Sequence, residues 1–239
     1  MRRFSPHRWS FALFRGRCVH CQLPSTGAID LCAGCFGALP RPGAGCLCCA
    51  VPLATGGICG RCLAEPPPFS RVLAPFLYAE PLDTLIPGLK YRGDLAAGQV
   101  LATLLAEYLD SRLAPAQRPD LVMPVPLHWT RQLSRGFNQA RELARIAAAE
   151  LGLPMSRPGL VHRDIATPPQ EALGRGERLR NLRRAFRLSR PLTGESVAIV
   201  DDVVTTTSTV RVLAKTLLDG GASDVQVWAL ARTPLEKTL

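Results

Sequence analysis

Nine cysteines and one run of hydroxyl side chains are the residues of this 239-residue chain whose types and spacing could do chemistry. Eight of the cysteines form Cys-x-x-Cys pairs: Cys18 with Cys21, Cys32 with Cys35, Cys46 with Cys49, and Cys59 with Cys62. Two intervening residues let both sulfurs of a pair face one ion, and two pairs complete a tetrahedral thiolate site suited to zinc. Four pairs therefore predict two zinc ions. The simplest partition joins the first pair to the second and the third to the fourth. An interleaved partition, first with third and second with fourth, satisfies the spacing equally. A disulfide framework is the competing reading. It is disfavoured because the apolar stretch from Trp9 to Phe14 is too short for a secretory leader. Four thiolates leave no open coordination position, so the zinc is expected to be structural and to supply much of the module's folding free energy. Cys48 could replace its neighbour Cys49 as a ligand but reads better as a bystander thiol.

The hydroxyl run follows a short apolar segment: Val197-Ala-Ile-Val200, then Asp201 and Asp202, then Val203 and Val204, then Thr205, Thr206, Thr207, Ser208 and Thr209. Five hydroxyl residues in a row suit neither a strand nor a helix interior. They suit a loop that cradles phosphate at the start of a helix, where backbone N–H groups and the helix dipole favour an anion. Two adjacent carboxylates can accept from the paired hydroxyls of a ribose. An ordinary turn with a Thr or Ser N-cap is the bland alternative.

The elements that must position these residues follow from composition and periodicity. No cysteine follows Cys62, and Glu65-Pro-Pro-Pro68 can continue neither a helix nor a ladder. The division expected is a tail over 1–17, a double zinc ribbon over 18–65 and a larger domain over 69–239. In the larger part, strand-like segments (71–79, 121–127, 197–200, 225–231) alternate with helical ones (95–113, 137–151, 209–218). Such alternation predicts an α/β domain with a mostly parallel sheet, and ligands of such sheets bind beyond the carboxyl ends of strands. The chain carries a formal net charge of +10, which favours anionic partners without choosing among them. No apolar run is long enough to span a bilayer, so a cytoplasmic protein is expected.

The acid pair and hydroxyl run resemble the PRPP-binding signature of type I phosphoribosyltransferases. The resemblance implies that Asp201 and Asp202, as the catalytic acids, hold the ribose 2′- and 3′-hydroxyls of 5-phosphoribosyl-1-pyrophosphate (PRPP). Thr205, Thr206, Thr207, Ser208 and Thr209 would hold its 5′-phosphate, with Mg²⁺ accompanying the pyrophosphate. One departure is plain: Thr207 stands where that signature usually has glycine.

A second block runs from Asp120 through Pro124-Val-Pro126, His128, Arg131, Arg135 and Gly136 to Asn138 and Gln139. With Leu89-Lys90-Tyr91-Arg92-Gly93-Asp94, with Thr167-Pro-Pro-Gln170 and with the cysteine pairs, it resembles the ComF family over almost the whole chain. That resemblance implies a double zinc ribbon joined to a type I phosphoribosyltransferase-like sheet flanked by helices, and a link to natural transformation, DNA uptake or DNA utilisation. It places Arg131 and Arg135 near pyrophosphate, with Lys90 and Arg92 as further candidates. His128 is as suited to orienting its loop as to proton transfer. No acceptor nucleophile is legible. Three roles stay open: a PRPP-dependent transferase, a non-catalytic accessory protein that binds single-stranded DNA, and a PRPP-sensing regulator. The arginines between 175 and 190 fit the second as well as they fit a solvated face. Competence-machinery proteins are further candidate partners.

Overall fold

The two most continuously apolar segments of the chain become neighbouring strands at the centre of a sheet. A computed structural model describes residues 16–25, 27–92, 94–127, 137–164 and 185–234, and at 89–92 the backbone only. In chain order the elements are helices α1 (Ala33–Gly37) and α2 (Gly60–Ala64), short strands β1 (Val72–Leu73) and β2 (Phe76–Leu77), helices α3 (Leu82–Arg92) and α4 (Leu95–Arg112), and strand β3 (Leu121–Pro124). Helix α5 (Gln139–Leu151) follows, then strands β4 (Val161–Arg163), β5 (Phe186–Leu188) and β6 (Ser196–Val204), helix α6 (Ser208–Asp219) and strand β7 (Asp224–Arg232).

The main sheet is five-stranded and wholly parallel, in the order β1–β7–β6–β3, with β2 also paired to β7. Strands buried on both faces need no polar alternation, which is why Val197 to Val200 and Val225 to Ala231 read as runs. Alternate side chains then feed two cores. Ala198, Val200, Trp228 and Leu230 meet α3, α4 and α5, whereas Val197, Ile199, Val225 and Val227 meet α6. Trp228 is fully enclosed, and its indole N–H donates to Gln226 Oε1 at 3.0 Å. Strands β4 and β5 form a separate antiparallel pair.

The expected strand over 71–79 is cut in two. Val72 pairs with Val227 and Phe76 with Ala231, so β1 and β2 keep one register along β7. Pro75 stands between them and has no N–H to give to a ladder. The strand expected over 121–127 ends at Pro124. Helix α5 starts two residues later than expected because Asn138 is its cap: its Oδ1 accepts from Arg141 N at 3.3 Å. It ends as expected at Gly152, which adopts the left-handed conformation that glycine allows. Helix α4 is capped by Asp94, and Leu95, although part of its apolar spacing, is 68% exposed.

The cysteine-rich segment straddles the outer edge of the sheet. Cys18, Leu31 and Leu39 join the core on the α3/α4 face, and Cys46, Cys49, Val51, Cys59 and Cys62 join the core on the α6 face. Between them the segment takes hydrogen bonds from the edge: Leu77 N donates to Pro40 O at 2.7 Å, and Val72 N donates to Cys48 O at 2.8 Å. Among the described residues no helix is long and apolar enough to cross a membrane.

Candidate phosphate site and metal centres

The pairs close as the simplest partition expects. Cys18, Cys21, Cys32 and Cys35 form one cluster, and Cys46, Cys49, Cys59 and Cys62 the other, with the sulfurs of each within 4.8 Å of one another. The Cys21–Cys32 and Cys49–Cys59 sulfur separations are 3.6 and 3.7 Å. A tetrahedron with Zn–S bonds of about 2.3 Å has edges of about 3.8 Å, so both clusters fit structural zinc. Cys48 belongs to neither cluster; its contribution is the carbonyl that meets Val72.

Backbone geometry already favours thiolate in each cluster. Burial pushes the Cys18 thiol up, but the backbone N–H groups of Cys21, Cys32 and His20 outweigh it and bring the pKa down to about 6. Burial likewise raises Cys46, and the N–H groups of Cys59, Cys49 and Cys48 bring it down to about 6. Cys35 and Cys62 are pushed up, first by burial and then by the neighbouring sulfurs. One thiolate per cluster thus repels the next, a conflict that a bound dication relieves.

Strand β6 does not stop at the acids. It carries Asp201 and Asp202 in its second half and ends at Val204. Each carboxylate accepts from the next backbone N–H, Asp202 N to Asp201 Oδ1 at 2.9 Å and Val203 N to Asp202 Oδ1 at 2.7 Å. The chain then bends through Thr205, Thr206 and Thr207 before α6 begins at Ser208. A cleft of about 30 Å³ lies there, lined by Asp201, Val203, Val204 and the hydroxyl residues 205–209. Asp202 does not line it.

Helix starts leave backbone N–H groups without intrahelical acceptors. The first return bond of α6 runs from Arg211 N to Thr207 O at 2.9 Å. Among the described residues, no protein acceptor takes the N–H groups of Thr206, Thr207, Ser208, Thr209 or Val210. The Thr206 and Ser208 hydroxyls lie 2.9 Å apart at the same turn. Thr207 is buried and has φ +64° and ψ −1°, the left-handed region that a β-branched residue rarely enters. Glycine would enter that region without the steric cost. Here Arg211 holds the threonine, its Nε donating to Thr207 Oγ1 at 3.2 Å.

Three side chains have positioning roles that the sequence did not reveal. Asn138 Nδ2 donates to Val125 O at 3.0 Å and so ties the end of β3 to the start of α5. Arg211 joins α6 to the end of α2, through Glu65 O at 2.8 Å and Pro66 O at 3.4 Å. Arg232 is buried at the end of β7, and burial pulls its guanidinium below its ordinary value against the opposing charge of Cys49. Only Asn138 left a signal, as a capping residue before a helical pattern. Arg131, Arg135 and His128 lie outside the described residues, as do the side chains of Lys90 and Arg92 and most of the arginine-rich 175–190 stretch.

No family model matches the chain. Among curated proteins, it is 40% identical over 222 residues to the DNA utilization protein YhgH of Escherichia coli K12, covering 91% of this chain and 97% of that one. It is 34% identical over 233 residues to competence protein F of Haemophilus influenzae, covering 92% and 98%. Among solved structures it is similar to a purine phosphoribosyltransferase from Pyrococcus horikoshii, at 17% identity and a TM-score of 0.33 over 59% of this chain and 91% of that one. It is also similar to the glutamine PRPP amidotransferase of B. subtilis, at 21% identity and a TM-score of 0.37 over 55% and 25%. Identity of this order to YhgH and to competence protein F, over more than nine-tenths of the sequence, means that the chain belongs to the ComF family.

Proposed function

We propose that this protein binds PRPP, or another ribose 5-phosphate ligand, at the turn between β6 and α6, and serves the use or uptake of DNA that its relatives' names describe. The observation that carries the reading is the set of unaccepted N–H groups at Thr206–Val210, gathered with the hydroxyls of 205–209 at the carboxyl end of a central parallel strand. The cleft is small, which suits one phosphate group, with the sugar outside it beside Asp201. Asp201, at the rim of the cleft, and Asp202 beside it would accept from the ribose hydroxyls. Cations on the 128–136 segment and on α3 (Arg131, Arg135, Lys90 and Arg92) would meet the pyrophosphate. Mg²⁺, when bound with the ligand, would neutralise part of the same charge.

With an acceptor present, the reaction would be a phosphoribosyl transfer. The bond from ribose C1 to the pyrophosphate oxygen breaks, the bond from C1 to the acceptor forms, and pyrophosphate leaves with the electron pair. The chain's part is to fix the ribose and to place donors where negative charge grows. A second reading, a single-stranded-DNA-binding accessory without turnover, draws on the names of the relatives and on the net charge of +10.

Calorimetric titration with Mg²⁺-PRPP tests the site. The wild type is expected to bind, and Asp201→Ala/Asp202→Ala to lose binding at least tenfold, the order expected for charge-assisted hydrogen bonds. Equal binding by both proteins rejects the ribose assignment. Release of pyrophosphate with candidate acceptors separates turnover from binding. A steep fall of single-stranded-DNA affinity with salt supports the accessory reading.

A further inference from the structure

The guanidinium of Arg232 has only 3% of its residue surface exposed and faces two ways. On one side its Nε donates to Cys49 O, on a metal-ligand residue of the second cluster, at 2.9 Å. On the other, its Nη1 donates to Val204 O at 3.0 Å, to Thr205 O at 2.5 Å and to Thr233 O at 2.7 Å. Val204 and Thr205 are where β6 turns into the phosphate loop. Arg211, whose side chain is 11% exposed, does the same from the other end. Its Nε grips Thr207 Oγ1, and its Nη groups reach Glu65 O, Pro66 O and Glu65 Oε1, the last at 3.6 Å. Glu65 caps α2, the helix that carries the last ligand of the same cluster, Cys62.

Two arginines therefore span one short gap, and each holds cysteine-module backbone with one face and loop with the other. A planar fork with several fixed donors can do this; an ammonium on a flexible stem cannot hold both sides at once. One dication against four thiolates leaves a loaded cluster net negative, a setting that suits a buried cation beside it. The first cluster has no such link. Among the described residues, none of its hydrogen bonds reaches 204–209.

We propose that Arg232 and Arg211 are positioning residues that transmit the metal-held geometry of the Cys46/Cys49/Cys59/Cys62 cluster to the phosphate loop. Zinc in that cluster then sets how well the loop holds its anion, while zinc in the other does not. The inference rests on the phosphate-binding reading for its consequence, but not for its mechanical part. Coupling of this kind is reciprocal: the ligand that orders the loop also slows release of zinc from the second cluster.

The test uses the full-length zinc-loaded protein, with Arg232→Lys and Arg211→Met as variants and Arg41→Met, on the first module, as control. Hydrogen–deuterium exchange of the Arg211 and Thr233 amides, which donate to the loop carbonyls Thr207 O and Val204 O, is read without ligand. Calorimetry with Mg²⁺-PRPP is read separately, as is zinc release to a chromogenic chelator with and without Mg²⁺-PRPP. Exchange of the Arg211 and Thr233 amides, which close on Thr207 O and Val204 O, is expected to rise about tenfold in both variants, and Mg²⁺-PRPP affinity to fall by about the same factor, as for loss of one or two hydrogen bonds. Exchange in α4 and α5 should stay unchanged. Ligand should protect half of the zinc in the wild type and lose that effect in the variants. Exchange of these two amides and affinity within twofold of wild type in Arg211→Met and Arg232→Lys would overturn the inference. Absence of Mg²⁺-PRPP binding to the wild type, with the exchange change still present, would instead sink the ligand assignment and leave the coupling standing.

Discussion

The first four-cysteine cluster leaves Cys21 exposed and packs with α3 and α4, whereas the second buries all four ligands and packs with α6. Ligand type, ligand number and pair spacing are the same. The surroundings differ, and they decide what each cluster does. The first staples one end of the cysteine-rich segment to the sheet through Leu31 and Leu39. The second is also joined by hydrogen bonds to the loop proposed to hold phosphate. A zinc knuckle specifies only its own turn; its role comes from what its backbone carbonyls and neighbouring side chains touch.

The contrast can be broken most directly at the ligands. Cys62→Ser is expected to lose one zinc and to destabilise the chain by several kcal/mol, because a structural zinc supplies folding free energy to the site that it closes. Cys21→Ser should also lose one zinc but lower the melting temperature less, since its cluster is partly exposed and off the α6 core. Metal analysis with thermal denaturation checks both, and equal losses of stability would erase the distinction. Chelation of the wild type should run in two phases of equal size, the faster from the cluster with exposed Cys21, with rates about tenfold apart if protection differs by about 1.4 kcal/mol. A single phase would contradict the difference in burial.

Packing offers a smaller effect. Leu39→Ala empties a buried site in the core next to the first cluster, at about 2–5 kcal/mol. The expected result is lower stability in urea with Mg²⁺-PRPP affinity within twofold of wild type in the folded range. The smallest effect is Thr207→Val, which keeps the shape but removes the hydroxyl that Arg211 holds. About 1 kcal/mol of stability should go, with a matching rise in exchange of the Arg211 amide, which closes on Thr207 O, and no change in zinc content.

Much of this was legible in the sequence because it is local. Pair spacing announced both clusters, and apolar runs announced β6 and β7. The glycines after 219 and at 152 marked the ends of α6 and α5. Gly221 shows why such a residue is needed: φ is +102°, and a Cβ would lie 2.3 Å from Leu192 O. What was not legible depends on partners far along the chain. Arg232 meets Cys49 across 183 positions and Arg211 meets Glu65 across 146, and nothing near either arginine points there. Helix α3 was missed because Pro87 lies inside it and reads as a breaker. Strands β4 and β5 are three residues each and pair only with one another, too short for a period to appear. The left-handed backbone of Thr207, φ +64°, is likewise set by the turn it closes, and the residue type gives no sign of it.

Hydrogen bonding at the two margins of the main sheet has a consequence for assembly. Val72 and Leu77 spend their outward N–H groups on Cys48 and Pro40, and at the opposite margin Val122 exchanges hydrogen bonds with Pro154 and Ser156. A foreign strand approaching either side finds these donors already taken, so templated growth by strand addition is blocked at both ends. Strand-mediated self-association at the main sheet would first have to displace these caps, and loss of the cysteine-rich strap would open one margin to aggregation.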